Sequence, residues 1–326
     1  MFNRRDLLLG TAVATTAAPL SLLTAERALA QPVELLKVFV PAAPGGGWDQ
    51  TARTIEQVLR ATGLVRGVQI TNVPGAGGAV GLPQFLNQWR GQGNALMVAG
   101  MVMVGSLIAN KSPVKLVSTT PIARLTGEFL ALVVPAQSSF KSAKDFTAAL
   151  KADPTKVPVA GGSAGGSDHI LIGMIARAIG VSPTKVSYVA FAGGGPATAA
   201  LLGNQVAAGI SGYGEFSEQI KAGKLRLLAV SSDKRQEGID APTLKEEGID
   251  VELFNWRGVF APPGVNANQR QAMLTLIEKM VATPQWAEAC KTRDWTVITL
   301  LGDEFKKFLD EETVRIEGIL KELGLG

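Results

Sequence analysis

Cysteine and histidine are almost missing from this chain of 326 residues: it holds one of each, Cys290 and His169. A single thiol excludes an internal disulfide framework, and one thiol with one imidazole supplies too few ligands for a zinc or histidine-rich redox centre. Aromatic residues reach only 6%, and two of them are tyrosines. Charge is thin as well. The 32 Lys and Arg nearly balance 28 Asp and Glu, leaving a formal +4, too little and too evenly spread for a nucleic-acid surface, so no nucleic-acid partner is expected. What is present is 46% hydrophobic residues with many small side chains, an ordered globular composition that rules out collagen-like, low-complexity and coiled-coil classes. The length suits two domains of roughly 100 to 200 residues, so two cores are expected.

Arg4 and Arg5 precede an apolar run from Leu7 to Leu23, and Ala28-Leu29-Ala30 offers a small-x-small cleavage pattern. Residues 1–30 therefore read as a secretory signal cut after Ala30, which places the mature chain in the periplasm. The arginine pair also fits the twin-arginine route, so that route and the general secretory one both stay open. Pro19 interrupts the run and argues against a permanent anchor. No later stretch has the ~20 unbroken apolar residues that span a bilayer, and no cysteine near the cleavage site offers a lipid attachment point.

Beyond residue 30, short apolar runs alternate with helical patterns. Leu35–Val40, Val68–Val73, Ala95–Ala99, Leu130–Val134, Val157–Ala160, Val186–Ala190, Val206–Ile210 and Leu225–Val230 have the length and composition of buried strands. Trp48, Ala52, Ile55, Val58 and Leu59 repeat at three and four and predict a helix ending near Gly63. Asp303 to Leu323 predicts a last helix, with Asp303 as N-cap and a stripe of Phe305, Phe308, Leu309, Ile316, Ile319, Leu320 and Leu323 broken by Glu312. Strand followed by helix, repeated, argues for an α/β fold with parallel sheets, in which ligands collect where strands run into helix N-termini. No linker marks a boundary between the two cores, the appearance expected of a chain that crosses between domains more than once.

Four glycine clusters follow the expected strands: Pro44-Gly45-Gly46-Gly47-Trp48-Asp49, Pro74-Gly75-Ala76-Gly77-Gly78, Gly161-Gly162-Ser163-Ala164-Gly165-Gly166-Ser167-Asp168-His169, and Ala192-Gly193-Gly194-Gly195-Pro196. Glycine admits a ligand close to the backbone, and a helix starting beyond it aims free N–H groups and a positive dipole end at carboxylate or phosphate oxygens. Each loop singly is equally a tight turn, and Asp49, Ser167 and Asp168 are equally simple N-caps. Four together favour a site.

Two of the loops imitate enzyme motifs. Gly75-Ala76-Gly77-Gly78-Ala79-Val80-Gly81 places its last glycine one residue late for a dinucleotide fingerprint, and no acid follows where a ribose would need one, so no cofactor is expected. Gly161-Gly162-Ser163-Ala164-Gly165 matches a nucleophile elbow, but the one histidine lies six residues on, in the same turn, rather than late in the chain. A serine hydrolase using Ser163 with His169 is the enzymatic alternative. His169 otherwise reads as a hydrogen-bonding residue at a helix start or as a ligand contact. Tyr213 reads as a cleft residue or an interior aromatic. Arg257, beside Trp256 in an apolar run, reads as a carboxylate clamp or a structural ion pair.

With these residues in order, the chain resembles the extracytoplasmic solute-binding proteins of the tripartite tricarboxylate transporters, the Bug receptors. The likeness rests on Val40-Pro41-Ala42-Ala43-Pro44-Gly45-Gly46-Gly47-Trp48-Asp49, Asn72-Val73-Pro74-Gly75-Ala76-Gly77-Gly78, Gly162 through His169, and Ala192-Gly193-Gly194-Gly195. It continues in Ile220-Lys221-Ala222-Gly223-Lys224-Leu225-Arg226, Pro242-Thr243-Leu244-Lys245-Glu246, and Asn255 through Gly264. The resemblance implies a two-domain, Venus-flytrap fold of the type II periplasmic-binding-protein kind, with the ligand cleft between the domains. Domain 1 would join residues 31–125 to 230–326, and domain 2 would hold 126–229. It implies a carboxylate ligand held by main-chain N–H groups, hydroxyls and bridging waters, and delivery to a transporter with one large and one small integral membrane subunit. The expected contacts are Gly46, Gly47, Trp48, Asp49, Gly77, Gly78, Ser163, Ala164, Gly166, Ser167, His169, Gly193, Gly194, Tyr213 and Arg257. No catalytic residue and no metal is expected, and a monomer is the default for a receptor that must open and close. Pro196 stands where relatives often have glutamate, and Ser167 where they often have threonine. Arg257 favours a di- or tricarboxylate. A sensor feeding a membrane signalling system would use the same cleft.

Overall fold

A computed structural model describes residues 33–326; the expected signal segment and its cleavage site lie outside the described residues. Five strand-then-helix steps open the chain order: β1 (Val33–Val40), α1 (Gly47–Ala61), β2 (Val65–Asn72), α2 (Gly81–Gln88), β3 (Ala95–Gly100), α3 (Met101–Ala109), β4 (Thr120–Pro135), α4 (Ala143–Ala152), β5 (Val159–Gly161) and α5 (Ser167–Ala178). Then come β6 (Tyr188–Ala190), α6 (Gly194–Leu202), β7 (Ala208–Gly212), α7 (Tyr213–Lys221), β8 (Leu225–Val230), β9 (Phe254–Ala261), α8 (Ala267–Val281), α9 (Pro284–Thr292), β10 (Thr296–Leu301) and α10 (Gly302–Glu322). Among the described residues no helix is long and apolar enough to cross a membrane.

The eight expected strands all form, while β9 and β10 are additional. The expectation of purely parallel sheets needs correction. β1 pairs parallel with β2 and β3, and β5 pairs parallel with β6 and β7. The strands that join these two groups run antiparallel: β9 to β3 and β4, and β4 to β7, β8 and β10. The physical reason is β4. Its sixteen residues are twice the eight of β1, β2 and β9, and its first ten pair with β9 while Leu130 to Pro135 pair with β7 and β8. A strand shared in this way needs no crossover helix, so the parallel rule does not reach it.

Two buried clusters form, but they do not divide one per sheet. Leu130, Leu132 and Val134 point into the larger, which runs from β1 and β3 to α4 and α5. Phe129, Ala131 and Val133 point into the smaller, with Ala197, Leu201, Tyr213 and Phe216. Alternate residues of one strand thus feed opposite faces, as a period of two requires.

The last helix also differs from expectation at two places. Leu301 is its N-cap, and Asp303, inside the first turn, pairs instead with Arg270 at 2.7 Å. Glu312 does not leave the buried stripe. It is 6% exposed and accepts from the Trp256 indole N–H at 3.1 Å and from Arg315 at 2.6 and 2.7 Å. A buried carboxylate so fully bonded is tolerated in an apolar face.

Candidate functional site

The loops that follow β1, β5, β6 and β7 lead into α1, α5, α6 and α7. Each of these helices has glycine as its N-cap, Gly46, Gly166, Gly193 and Gly212, and none has a side-chain cap. The expected caps are therefore corrected. Asp49 sits inside the first turn of α1, where its Oδ2 accepts from the Gly45 N–H at 2.9 Å and from Arg53 at 2.8 Å, and its Oδ1 accepts from Asn72 at 3.0 Å. Those bonds hold its carboxyl below the usual range against the opposing effect of burial. Ser167 and Asp168 likewise start α5, and Asp168 Oδ2 reaches back to the Gly162 N–H at 2.7 Å. Acids fasten the loops to their own helices. The first N–H groups of each helix are left without a side-chain partner, the condition for binding an anion from outside.

All four helix starts line one cavity of about 80 Å³. Of the expected contacts, Gly46, Gly47, Trp48, Gly77, Ser163, Gly166, Ser167, Gly193, Gly194 and Arg257 line it. Asp49, Gly78, Ala164, His169 and Tyr213 do not. Tyr213 is buried against Phe129, ring centres 5.7 Å apart. The His169 ring stacks on Tyr188 at 4.1 Å and accepts from the Gly165 N–H through Nδ1 at 3.1 Å. Burial pushes its pKa down to about 4, so it is neutral at ordinary pH with its proton on Nε2. Among the described residues no hydrogen bond links it to Ser163.

Gly77 shows why the second loop needs glycine. Its φ is +58°, and a β-carbon there would collide with the Ser106 side chain beneath. Gly47 and Gly194 serve close approach instead. A β-carbon on Gly47 would meet the Arg257 guanidinium, and one on Gly194 would meet the Glu215 carboxylate.

The cavity also holds residues that sequence reasoning missed. Glu128 on β4, Asp168, Ser211 and Glu215 on α7, and Asn255 on β9 line it together with Arg257. Arg257 and Glu128 are each 3% exposed and form a salt bridge, and Arg257 also lies over the Trp295 ring at 5.3 Å. Burial lifts Glu128 to about 7, with Glu215 and Asp168 adding to the rise and Arg257 opposing it. Burial likewise lifts Asp168 to about 7, with Glu215 adding and the Gly162 N–H, Ser167 and Arg257 opposing. Ser211 donates to Glu215 at 2.7 Å. Asp168 and Asn255 stood inside quoted motifs, Asp168 read as a cap and Asn255 given no role, while Glu128 and Glu215 had no motif around them. The one available signal was their place at or just beyond apolar strand runs.

The model of the tripartite tricarboxylate transporter family receptor matches residues 51–325. The chain belongs to this receptor family. BugT of Bordetella pertussis strain Tohama I is 28% identical to it over 319 residues, 96% of this chain and 94% of BugT. The solved periplasmic binding protein BugD superposes with a TM-score of 0.81 at 23% identity, over 90% of this chain and 99% of its own. Malate-bound MatC of Rhodopseudomonas palustris gives 0.77 at 22% identity, over 89% and 99%. These superpositions show a common fold: the α/β periplasmic-binding-protein architecture with two domains. The chain is thus a solute-binding receptor of the tripartite tricarboxylate transporter family.

Proposed function

We propose that this receptor captures a small carboxylate in the glycine-lined cavity and hands it to a membrane transporter of one large and one small integral subunit. The observation that carries this reading is the convergence of four helix N-termini without side-chain caps on one cavity. Each supplies N–H donors and about half a positive charge where a carboxylate would sit. Malate in MatC is one acid bound by a protein of this fold. A second carboxylate on Arg257 would have to displace Glu128 from its salt bridge, so the expected preference for a di- or tricarboxylate loses its main support.

The same reading includes domains of 31–125 with 230–326 and of 126–229. The change of partners along β4 near residue 130 supports that division. Ligand contacts available only when both sides converge would favour the closed state. It includes export, with a mature chain beginning at Gln31, and a monomer that performs no catalysis.

A thermal-shift screen against mono-, di- and tricarboxylates, each beside its amide, tests the reading. A ligand at a hundred times its dissociation constant adds about 2.7 kcal/mol, a shift of several degrees. A shift with an acid and not its amide supports the carboxylate; shifts with uncharged compounds alone would remove it. The hydrolase reading survives only if p-nitrophenyl esters turn over and Ser163→Ala abolishes that turnover.

A further inference from the structure

Behind the cavity, α3 lies against two of the glycine loops at once. Val102, Gly105, Ser106 and Ala109 recur at three and four and so share one face of this helix. That face meets the loop before α5. A β-carbon on Gly105 would run into the Gly165 carbonyl oxygen, one on Gly165 would stand 2.8 Å from the Gly105 oxygen, and one on Gly166 would stand 3.1 Å from Val102 Cγ1. The same face meets Gly77, whose added β-carbon would collide with Ser106 and stand 3.1 Å from Ser163 Cβ. In the proposed division, α3 and Gly77 belong to residues 31–125, and Ser163, Gly165 and Gly166 to residues 126–229. The seam between them crosses from one domain to the other.

Two features set this seam apart from ordinary core. Gly105 is the middle residue of α3, where glycine holds a helix less well than alanine, and what it supplies is room for the Gly165 carbonyl. Ser106 is fully buried, yet its Oγ has no hydrogen-bond partner among the described residues. A helical serine commonly returns its hydroxyl to the carbonyl one turn earlier; this one does not. A buried hydroxyl without a partner carries a penalty that a hydroxyl open to water escapes.

We infer that this face of α3 is a brake on closure, and that Ser106 and Gly105 set ligand affinity from outside the cavity. Opening withdraws the Ser163–Gly166 loop, gives the Ser106 hydroxyl to water and relaxes the contact at Gly105. Closing strands the hydroxyl again, so ligand contacts have to offset it and the empty receptor favours the open arrangement. Both are positioning residues, since neither lines the cavity. This inference deepens the receptor reading and rests on its domain division.

Spin labels on Gln57→Cys of α1 and Lys151→Cys of α4, both exposed, report the open and closed populations by pulsed dipolar spectroscopy; Cys290 is buried and stays unlabelled. Without any acid, Ser106→Ala should raise the ratio of closed to open about three- to tenfold, and Gly105→Ala should lower it about tenfold or more. Calorimetric titration with acetate, malate, adipate and citrate follows. Ser106→Ala should tighten binding of any of these acids that the unaltered protein takes, and Gly105→Ala should weaken it while keeping or raising the melting temperature, because alanine favours the helix and only the closed state suffers. Unchanged populations in Ser106→Ala, or weaker binding of the kind a lost packing contact gives, overturn the brake. Populations that shift as expected while none of the acids binds uphold the brake and count against the carboxylate instead. One distance that neither variant nor acid moves overturns the brake together with the division into moving domains. Should Gly105→Ala fail to fold, Ser106→Ala, which removes one oxygen, decides alone.

Discussion

The two banks of the cavity are made from the same kind of loop and carry opposite charge. One bank comes from the ends of the chain: Gly46, Gly47, Gly75 and Gly77 expose main-chain groups, and its one charged side chain at the cavity is Arg257. The other comes from the middle, where Ser163, Gly166, Gly193 and Gly194 repeat the glycine-before-helix pattern, but Glu128, Asp168 and Glu215 stand among them. Helix starts alone would suit any anion. The acids set this cavity apart from one lined by helix starts alone, and one of them, Glu128, is paired with Arg257.

The salt bridge between Arg257 and Glu128 joins the banks, and breaking it should give the largest effect. Glu128→Ala leaves a buried guanidinium unpaired and should lower stability by about 3–5 kcal/mol in urea unfolding, while the double change Glu128→Gln with Arg257→Met should recover most of that loss. A single change costing under about 1 kcal/mol would mean that the pair does not tie the banks together.

Gly77→Ala attacks the main-chain bank alone. It forces an alanine into a left-handed conformation against Ser106, and about 1–3 kcal/mol of stability should go. Ligand affinity should fall with it, since the loop must move to relieve the contact.

The acidic bank should show itself in the pH dependence of stability. Glu128 faces Arg257 and Asn255 of β9, Glu215 of α7 and Asp168 of α5; Asp168 faces Ser167, Glu215, Arg257 and Tyr188. Both carboxyls lie near 7 when folded, above ordinary acids at about 4. The folded state then holds protons that the unfolded state releases, so this contribution is full below pH 4 and is lost as pH rises to 7 and beyond. Asp168→Asn should flatten that decline between pH 5 and 7.5, followed by thermal unfolding at constant ionic strength. His169 works in the other direction. Held at about 4 when folded, it contributes stability above its ordinary value of about 6.5 that is lost as pH falls through 4.

The smallest effect should come from His169→Gln. It removes a stack on Tyr188 and an acceptor for the Gly165 N–H, about 1 kcal/mol of stability, and should change ligand affinity less than threefold because the ring does not line the cavity. A loss of binding beyond tenfold would put His169 back among the contacts.

Much of the architecture was legible in the sequence because it is local. Apolar runs of four to six residues fixed the cores of eight strands, the three-and-four spacing fixed α1, and glycines marked the turns before helices that start at the cavity. Phe254–Ala261 was passed over as a strand while Arg257 within it read as a site residue, and Thr296–Leu301 because its alternation is weak and only half buried. Pattern also failed at Asp49, Ser167, Asp168 and Asp303, where a residue suited to capping lies one to three positions inside the helix and bonds elsewhere.

By itself the sequence determined that glycine loops lead directly into helices at α1, α5 and α6, though not at Gly75–Gly78, which enters a 3-10 turn, that thiol and metal chemistry have few residues to work with, and that the order of motifs is that of a receptor family. Only the tertiary structure decided what the loops enclose. Glu128 meets Arg257 across 129 positions of sequence, because β4 and β9 are neighbours in one sheet, and Asp168 and Glu215 join them from the starts of two different helices. No local spacing encodes such a meeting. The charge a ligand encounters is set by long-range burial, where low dielectric makes each acid count, and burial is a property of the folded chain as a whole.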